Sequence, residues 1–337
     1  MKVTFCGPFA MSLFKGGADL RAMKTAQKLK ERGIEVEFLS PYTTELGDIV
    51  HFWDIRDAYR IIVEHCLNNK KPYVVSPILR VPFLLSKEYI PAVLLKKFPF
   101  IRKMTTSGFI FGNATLLIAT SHYEKRKLSK IYKIPEGKIR VIPNPVDERF
   151  FSADGELFRK HFSLNEPFIL NVGRIEPFKN QLRLIRAIRG KYKLVVIGRD
   201  GMDKGYVERC KEEGKGWVLF TGYIPHDSPL LPSAYASCHL FALPSIQEVA
   251  PQVNLEAGAA GARIVTSTVG ASKEYLGEWA EYCNPWFVGS IRKAIEKMWD
   301  KDIDREKLRD YIRENFSWDS YIEKHIKVYE EAFERRN

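Results

Sequence analysis

Two glutamates eight residues apart, Glu248 and Glu256, stand in the stretch Pro244-Ser245-Ile246-Gln247-Glu248-Val249-Ala250-Pro251-Gln252-Val253-Asn254-Leu255-Glu256-Ala257-Gly258. The stretch follows a short apolar run. A helix beginning near Pro251 would leave Glu248 in the loop at a strand end and put Glu256 one to two turns into the helix, so both can face one cleft. Paired carboxylates suit acceptance of hydrogen bonds from sugar or ribose hydroxyls. Two solvated acids near a helix start, where the dipole favours them, fit the same spacing. A second group lies in Asn171-Val172-Gly173-Arg174-Ile175-Glu176-Pro177-Phe178-Lys179-Asn180. Gly173 would end a strand, and Arg174 and Lys179 flank the entry to a helix. Two cations beside a helix N-terminus suit a diphosphate, although a surface Arg and Lys are common. The third is Lys15-Gly16-Gly17-Ala18, between the first strand and the first helix. Paired glycines let backbone approach a ligand; a plain flexible loop reads the same, and the spacing is not that of the dinucleotide fingerprint.

The elements that must position these residues are legible as alternation. Strands are predicted at Lys2–Cys6, Glu35–Leu39, Ile49–Phe52, Tyr73–Val75, Thr115–Ala119 and Ile139–Ile142, with helices at Ala18–Arg32, Arg56–Asn69 and Ser121–Tyr132. Pro143-Asn144-Pro145 breaks the pattern, and Phe150 to Pro167 shows few clear elements, which places a linker there. Strands then resume at Phe168–Val172, Lys193–Ile197, Trp217–Thr221, His239–Ala242 and Arg263–Ser267. Helices fill Asn180–Arg189, Lys204–Glu213, Pro229–Ser237, Val253–Ala260 and Trp286–Trp299, and residues from Asp304 onward read as helix with a break near Asn315-Phe316. Repeated strand–helix–strand units predict two doubly wound α/β domains with ligand sites at the carboxyl ends of their strands.

Composition narrows the class. The chain has 337 residues, enough for two domains, with 45% hydrophobic and 28% charged residues, which excludes disordered and collagen-like classes. Five scattered cysteines without a CxxC pair suggest neither a disulfide framework nor a zinc site and fit a reducing cytoplasm. No apolar run is long enough to span a bilayer, and the N-terminus reads as a strand rather than a signal peptide. The net charge is +12, with 25 Lys/Arg against 14 Asp/Glu in residues 1–150 and 28 against 27 in residues 151–337. Segment 87–140 alone holds 12 basic and 3 acidic residues. That field favours a polyanionic partner, or is a solvated basic surface. No helix-turn-helix, RNA-recognition or zinc module accompanies it, so no nucleic-acid partner is expected.

In their order along the chain, Gly16-Gly17 after the first strand, VIPNPVDERF at the linker, NVGRIEPFKN, the PS-x-x-E-x7-E block, TSTVGASKEYLG and the closing FSWDSYIEKHIKVYEEAF resemble a family-4 retaining glycosyltransferase of the two-domain GT-B architecture, over nearly the whole chain. The resemblance implies two Rossmann-like domains facing across a cleft: residues 1–150 on the acceptor side, 151–316 binding the nucleotide sugar, and a last helix within 317–337 crossing back to the first domain. It implies that Arg174 and Lys179 hold the donor diphosphate, that Glu256 accepts from the donor ribose and that Glu248 contacts the transferred sugar. Gly173, Gly16 and Gly17 would bring backbone to the donor or acceptor. The implied reaction moves a hexosyl group to a glycan or lipid-linked acceptor with retention, the leaving phosphate oxygen taking the acceptor proton. Neither a metal nor a further cofactor is implied.

Two departures stand out. Glycines usual after the first Glu are replaced by Val249-Ala250-Pro251, and a His usual after the fourth strand is absent from Val75-Ser76-Pro77-Ile78-Leu79-Arg80. His51, His122, Ser76 and Arg80 are the candidates to act on the acceptor side, each histidine also fitting a structural or surface role. The altered loop supports an alternative, a non-catalytic nucleotide-sugar binder or partner protein with a decayed site. The basic segment, apolar-interleaved over Tyr89–Lys103, would place a cytoplasmic enzyme peripherally on anionic lipid at the inner face of the cell membrane.

Overall fold

The computed structural model describes residues 1–7, 17–77 and 105–336, with Gly17 and Ala18 described by their backbone. These residues form two six-stranded sheets, every pairing parallel. The first runs β2-β1-β3-β4-β5-β6, from β1 (Lys2–Cys6), β2 (Glu35–Phe38), β3 (Ile49–Phe52), β4 (Tyr73–Val75), β5 (Leu116–Ala119) and β6 (Ile139–Val141). The second runs β12-β11-β10-β7-β8-β9, from β7 (Phe168–Val172), β8 (Lys193–Ile197), β9 (Val218–Gly222), β10 (Leu240–Leu243), β11 (Arg263–Ser267) and β12 (Ala280–Cys283). Central strands such as β3, β5 and β10 are buried at every residue. The continuous apolar sequence of β5 and β10 therefore reflects helices on both faces, which a parallel sheet needs for its crossovers.

Around the first sheet lie α1 (Gly17–Glu31), α2 (Tyr59–Asn68), α3 (Thr106–Asn113) and α4 (His122–Tyr132). Reciprocal capping starts α4: Ser121 Oγ accepts from Glu124 N at 3.1 Å, and the buried Glu124 carboxylate accepts from Thr120 N and Oγ1 at 2.7 Å. Around the second lie α5 (Glu156–Phe162), α6 (Gln181–Ile188), α7 (Lys204–Glu213), α8 (Leu230–Ser237), α9 (Gln252–Ala259), α10 (Ser272–Leu276), α11 (Val288–Trp299) and α12 (Arg305–Phe316). A last helix, α13 (Trp318–Glu334), follows after Ser317. Among the described residues no helix is long and apolar enough to cross a membrane.

Four elements escape the sequence reading, among them the five-residue helix α10. Helix α5 falls in the stretch taken as linker and is only seven residues long. Helix α3 carries Gly108 and Gly112, which lower helix propensity. Strand β12 is the four-residue edge sequence Ala-Glu-Tyr-Cys, too short to show a period. The doubly wound α/β plan itself is as predicted.

The chain divides into two compact units, Met1–Asn144 with Asp319–Asn337, and Pro145–Trp318. Helix α13 thus returns to the first unit. Its buried Tyr321, Ile322, His325, Val328, Tyr329 and Ala332 form one helical stripe. Tyr329 Oη meets His51 Nδ1 at 2.7 Å in the interior, Glu331 pairs with Arg140, and Asp319 Oδ1 accepts from Arg32 Nη2 at 2.7 Å. The buried Tyr329–His51 contact matters most energetically, because exposed ion pairs contribute little. Tyr329→Phe leaves a buried imidazole nitrogen unpaired, and should lower the unfolding free energy by about 1–3 kcal/mol in urea titrations. An unchanged midpoint would show that the contact does not fasten α13.

Candidate active site

In the second sheet the connections reverse direction between β7 and β10, and there the loops after neighbouring strands separate to leave room for a ligand. The loops after β7, β8, β9, β10 and β11 meet at this carboxyl edge. Gly198, just beyond β8, makes the closest approach. A Cβ there would lie 2.0 Å from Gly173 O, so only glycine lets the two loops touch. Beyond it, Ile175 N donates to Arg199 O at 2.9 Å and Gly201 N to Ile175 O at 3.1 Å. Arg174 therefore leaves a backbone held on both sides. Its side chain is exposed, and no carboxylate lies within ion-pairing distance of it among the described residues.

Lys179 ends a 3-10 turn at Pro177–Lys179. Its Nζ lies 2.5 Å from Glu248 Oε1, with both side chains largely buried. The next residue fixes this geometry. Asn180 takes a left-handed conformation, φ 64°, and its Nδ2 donates to Pro244 O at 2.9 Å and Pro285 O at 2.8 Å. Ile246 N donates to Phe178 O at 2.9 Å, a second tie between the turn and the loop after β10. Buried Gln181 adds a third, its Nε2 donating to Arg174 O at 2.9 Å. Glu248 is held from the other side by the loop after β11. Gly270, at φ +77°, sits where a Cβ would meet Glu248 O at 2.6 Å, and Ala271 N donates to Val249 O at 2.9 Å.

Glu256 lies in α9, whose first residue follows Pro251. It is buried, with Tyr235 Oη donating to Oε2 at 2.8 Å and His226 Nε2 lying 3.4 Å from Oε1. The Glu256 carboxylate raises the His226 pKa from its ordinary value, outweighing desolvation. Burial, with Glu256 beside it, pushes the Tyr235 phenol well up. The site thus offers a carboxylate bonded to a lysine, a second carboxylate bonded to a histidine and a tyrosine, and an arginine without a carboxylate partner.

The structure thus brings together Gly173, Arg174, Lys179, Glu248 and Glu256 at one sheet edge. In the first unit His51 and Ser76 also meet, but inside it. His51 is fully buried, with Nε2 2.8 Å from Ser76 Oγ, Nδ1 on Tyr329 and its ring stacked on Trp53 at 4.4 Å. Both nitrogens are taken, and burial, then His325 and Arg21, hold its pKa well below the usual value. His51 is therefore a neutral interior group with no nitrogen left for an acceptor. His122 is exposed at the first residue of α4, just past the carboxyl end of β5. Gly17 opens α1. Gly16, Arg80 and the segment Tyr89–Lys103 lie outside the described residues. Sequence reasoning missed His226, Tyr235 and Asn180. For His226 a signal was present, since Gly222-Tyr223-Ile224-Pro225-His226 follows a strand at the ligand edge.

Comparison with known proteins fits this geometry. Residues 154–315 match the family described as glycosyl transferases group 1, and residues 47–150 match glycosyltransferase family 4. The chain belongs to the family-4 glycosyltransferases of GT-B fold. It is 28% identical over 237 residues to an uncharacterised glycosyltransferase of Methanocaldococcus jannaschii, covering 65% of this chain and 60% of that one. It is 26% identical over 259 residues to the serotype-specific mannosyltransferase WbdA of Escherichia coli, covering 71% of this chain and 31% of WbdA. The chain therefore spans less than two thirds of either relative. In fold it is similar to Anabaena HepE crystallised with UDP, with a TM-score of 0.76, 17% identity, and coverage of 98% of this chain and 100% of that one. HepE has also been crystallised with UDP-glucose.

Asn180→Ala removes two hydrogen bonds to buried carbonyls and puts alanine in a left-handed conformation. About 1 kcal/mol for each bond and about 1–2 kcal/mol for the backbone give an expected loss of about 3–4 kcal/mol in urea unfolding. A loss under about 0.5 kcal/mol, the range of neutral surface changes, would show that Asn180 does not bolt the loops together.

Proposed function

We propose that the protein is a retaining glycosyltransferase that moves a hexosyl group from a nucleotide-diphosphate sugar to a glycan or lipid-linked acceptor. The observation that carries this reading is the Lys179–Glu248 contact, with Arg174 in no ion pair with a carboxylate among the described residues, at the reversal point of the second sheet. Lys179 and Arg174 are the cations a diphosphate would meet. Glu248, at the same point, would face the sugar attached to it. Glu256 would accept from the ribose, since each carboxylate oxygen can take more than the one bond it makes here. The UDP and UDP-glucose of HepE and the mannosyl transfer in the name of WbdA support a hexose donor of this kind.

In this reaction the bond from the sugar anomeric carbon to the phosphate oxygen breaks, and its electron pair stays on the diphosphate. The acceptor oxygen bonds to the same face of that carbon, and its proton passes to the departing phosphate oxygen. Positive charge develops on the sugar and negative charge on the leaving group. Arg174 and Lys179 stabilise the second, in a fixed arrangement that needs no reorganisation as the charge forms. Lys179 exchanges part of its contact with Glu248 for the phosphate, which ties the carboxylate's position to donor occupancy. Val249 and Ala250 put side chains where glycines are usual, and Pro251 has no backbone N–H to offer the sugar. Which hexose is accepted therefore depends on these side chains. The basic segment 87–140 suits a lipid-linked acceptor on an anionic surface.

Glu248→Gln and Glu256→Gln should each lower kcat/KM by about a hundredfold or more, a loss typical of removing one preorganised electrostatic contact. NMR of the nascent product should show the donor's anomeric configuration kept. Unchanged turnover in both variants would refute the residue roles, and an inverted product would refute retention.

A further inference from the structure

We infer that His226 is a donor-binding residue that works with Glu256 as one unit, its imidazolium neutralising the buried carboxylate and offering Nδ1–H to an oxygen of the donor. The inference rests on the reading of Glu256 as the ribose contact and adds a group that reading does not contain.

The geometry singles out this histidine. It lies in the loop after β9, at the carboxyl edge that also carries Arg174 and Glu248. That loop is clamped by its backbone: Arg149 Nη2 donates to His226 O at 3.2 Å and Nη1 to Asp227 O at 3.1 Å, while Asp147 holds Arg149 at 3.3 Å. The Phe150 ring lies 5.8 Å from the imidazole. With the backbone fixed, Nε2 is directed at Glu256 Oε1. The Glu256 side chain is 4% exposed and the His226 side chain 36%, so the imidazole is the part of this pair that solvent reaches. Tyr235 Oη occupies the other carboxylate oxygen from α8 and is itself buried. No hydrogen-bond partner meets His226 Nδ1 among the described residues.

Chemistry follows from the two protonation states. With Nε2–H given to the carboxylate, a neutral ring presents Nδ1 as an acceptor, and a protonated ring presents it as a charged donor. A donor diphosphate is anionic, so the protonated ring favours binding twice, by donating and by cancelling the Glu256 charge. The groups facing the ring are Glu256 from α9, Tyr235 from α8, and Asp147 and Arg149 from the turn before α5, with Asp227 next in the chain. Glu256 and Asp147 favour the imidazolium and Arg149 opposes it, with a net rise in pKa. Donor affinity should then be highest below that raised pKa and fall as pH climbs through it.

Equilibrium titration of the full chain with UDP-glucose and with GDP-mannose, from pH 6 to pH 8, reads this directly. Each phosphate of these ligands carries one ester and one anhydride link and has no second ionisation, and the base N–H groups ionise above the window. The wild type should lose about tenfold in affinity across it, the equivalent of one pKa unit of coupling. His226→Gln keeps an N–H for Glu256 but cannot titrate, and its affinity should be flat with pH. Glu256→Gln tests the underlying reading separately, by weakening binding at every pH. NMR titration of the wild-type imidazole needs no variant: donor binding must move its midpoint upward, by reciprocity of linked equilibria. Parallel pH profiles for wild type and His226→Gln, or an unmoved midpoint, would leave His226 a structural residue and overturn the inference alone. Unchanged affinity in Glu256→Gln, or no binding of either ligand by the wild type, would overturn the donor-site reading and the inference with it.

Discussion

A single lysine–carboxylate contact, Lys179 Nζ on Glu248 Oε1, joins the loops on either side of the reversal point of the second sheet. Much of the surrounding structure holds that contact in place. A partly buried ion pair tolerates little misplacement, because an uncompensated charge there is costly. The backbone ties explain how it is held. Asn180 reaches the ends of β10 and β12 from the end of β7, Gln181 ties back to Arg174, and Gly198 and Gly270 permit approaches that a Cβ would block. The cationic site is thus a product of sheet topology. Only a parallel sheet whose connections reverse places the ends of β7 and β10 side by side with open space above them.

The first unit uses polar chemistry differently. Its interior histidines are structural: His51 bridges Ser76 and Tyr329, and His325 bonds the Tyr321 carbonyl, with burial lowering its pKa to about 3. Both rings are neutral at ordinary pH and stack with Trp53. They fasten α13 to the sheet by hydrogen bonds and ring contacts that carry no net charge. In the second unit the half-buried His226 has its pKa raised by a carboxylate instead. Burial and a charged neighbour move the same side chain in opposite directions, which separates a framework histidine from one suited to meet a ligand.

Most of the α/β plan was legible in the sequence, because parallel strands buried on both faces are continuous apolar runs and the crossover helices carry a clear period. What escaped was short or poor in propensity: α5, α3, α10 and β12. At the site, Arg174, Lys179, Glu248 and Glu256 were legible because their spacings straddle strand ends, and a strand end fixes position in three dimensions. His226 and Tyr235 were not paired with Glu256, since nothing local relates residues 20 to 30 positions apart across two crossovers. His51 was misleading for a physical reason. It follows the pattern of a residue near a strand end, yet α13, some 270 residues later, covers it.

The central claim is that Arg174 and Lys179 form a diphosphate site. Calorimetric titration with UDP, GDP and ADP, each against its monophosphate, in the wild type and in Arg174→Ala with Lys179→Ala, tests it most directly. The account predicts that one diphosphate binds the wild type at least tenfold more tightly than its monophosphate, and that the double variant loses this difference. Equal affinity for diphosphate and monophosphate in the wild type, or a preference that survives the loss of both cations, would contradict it.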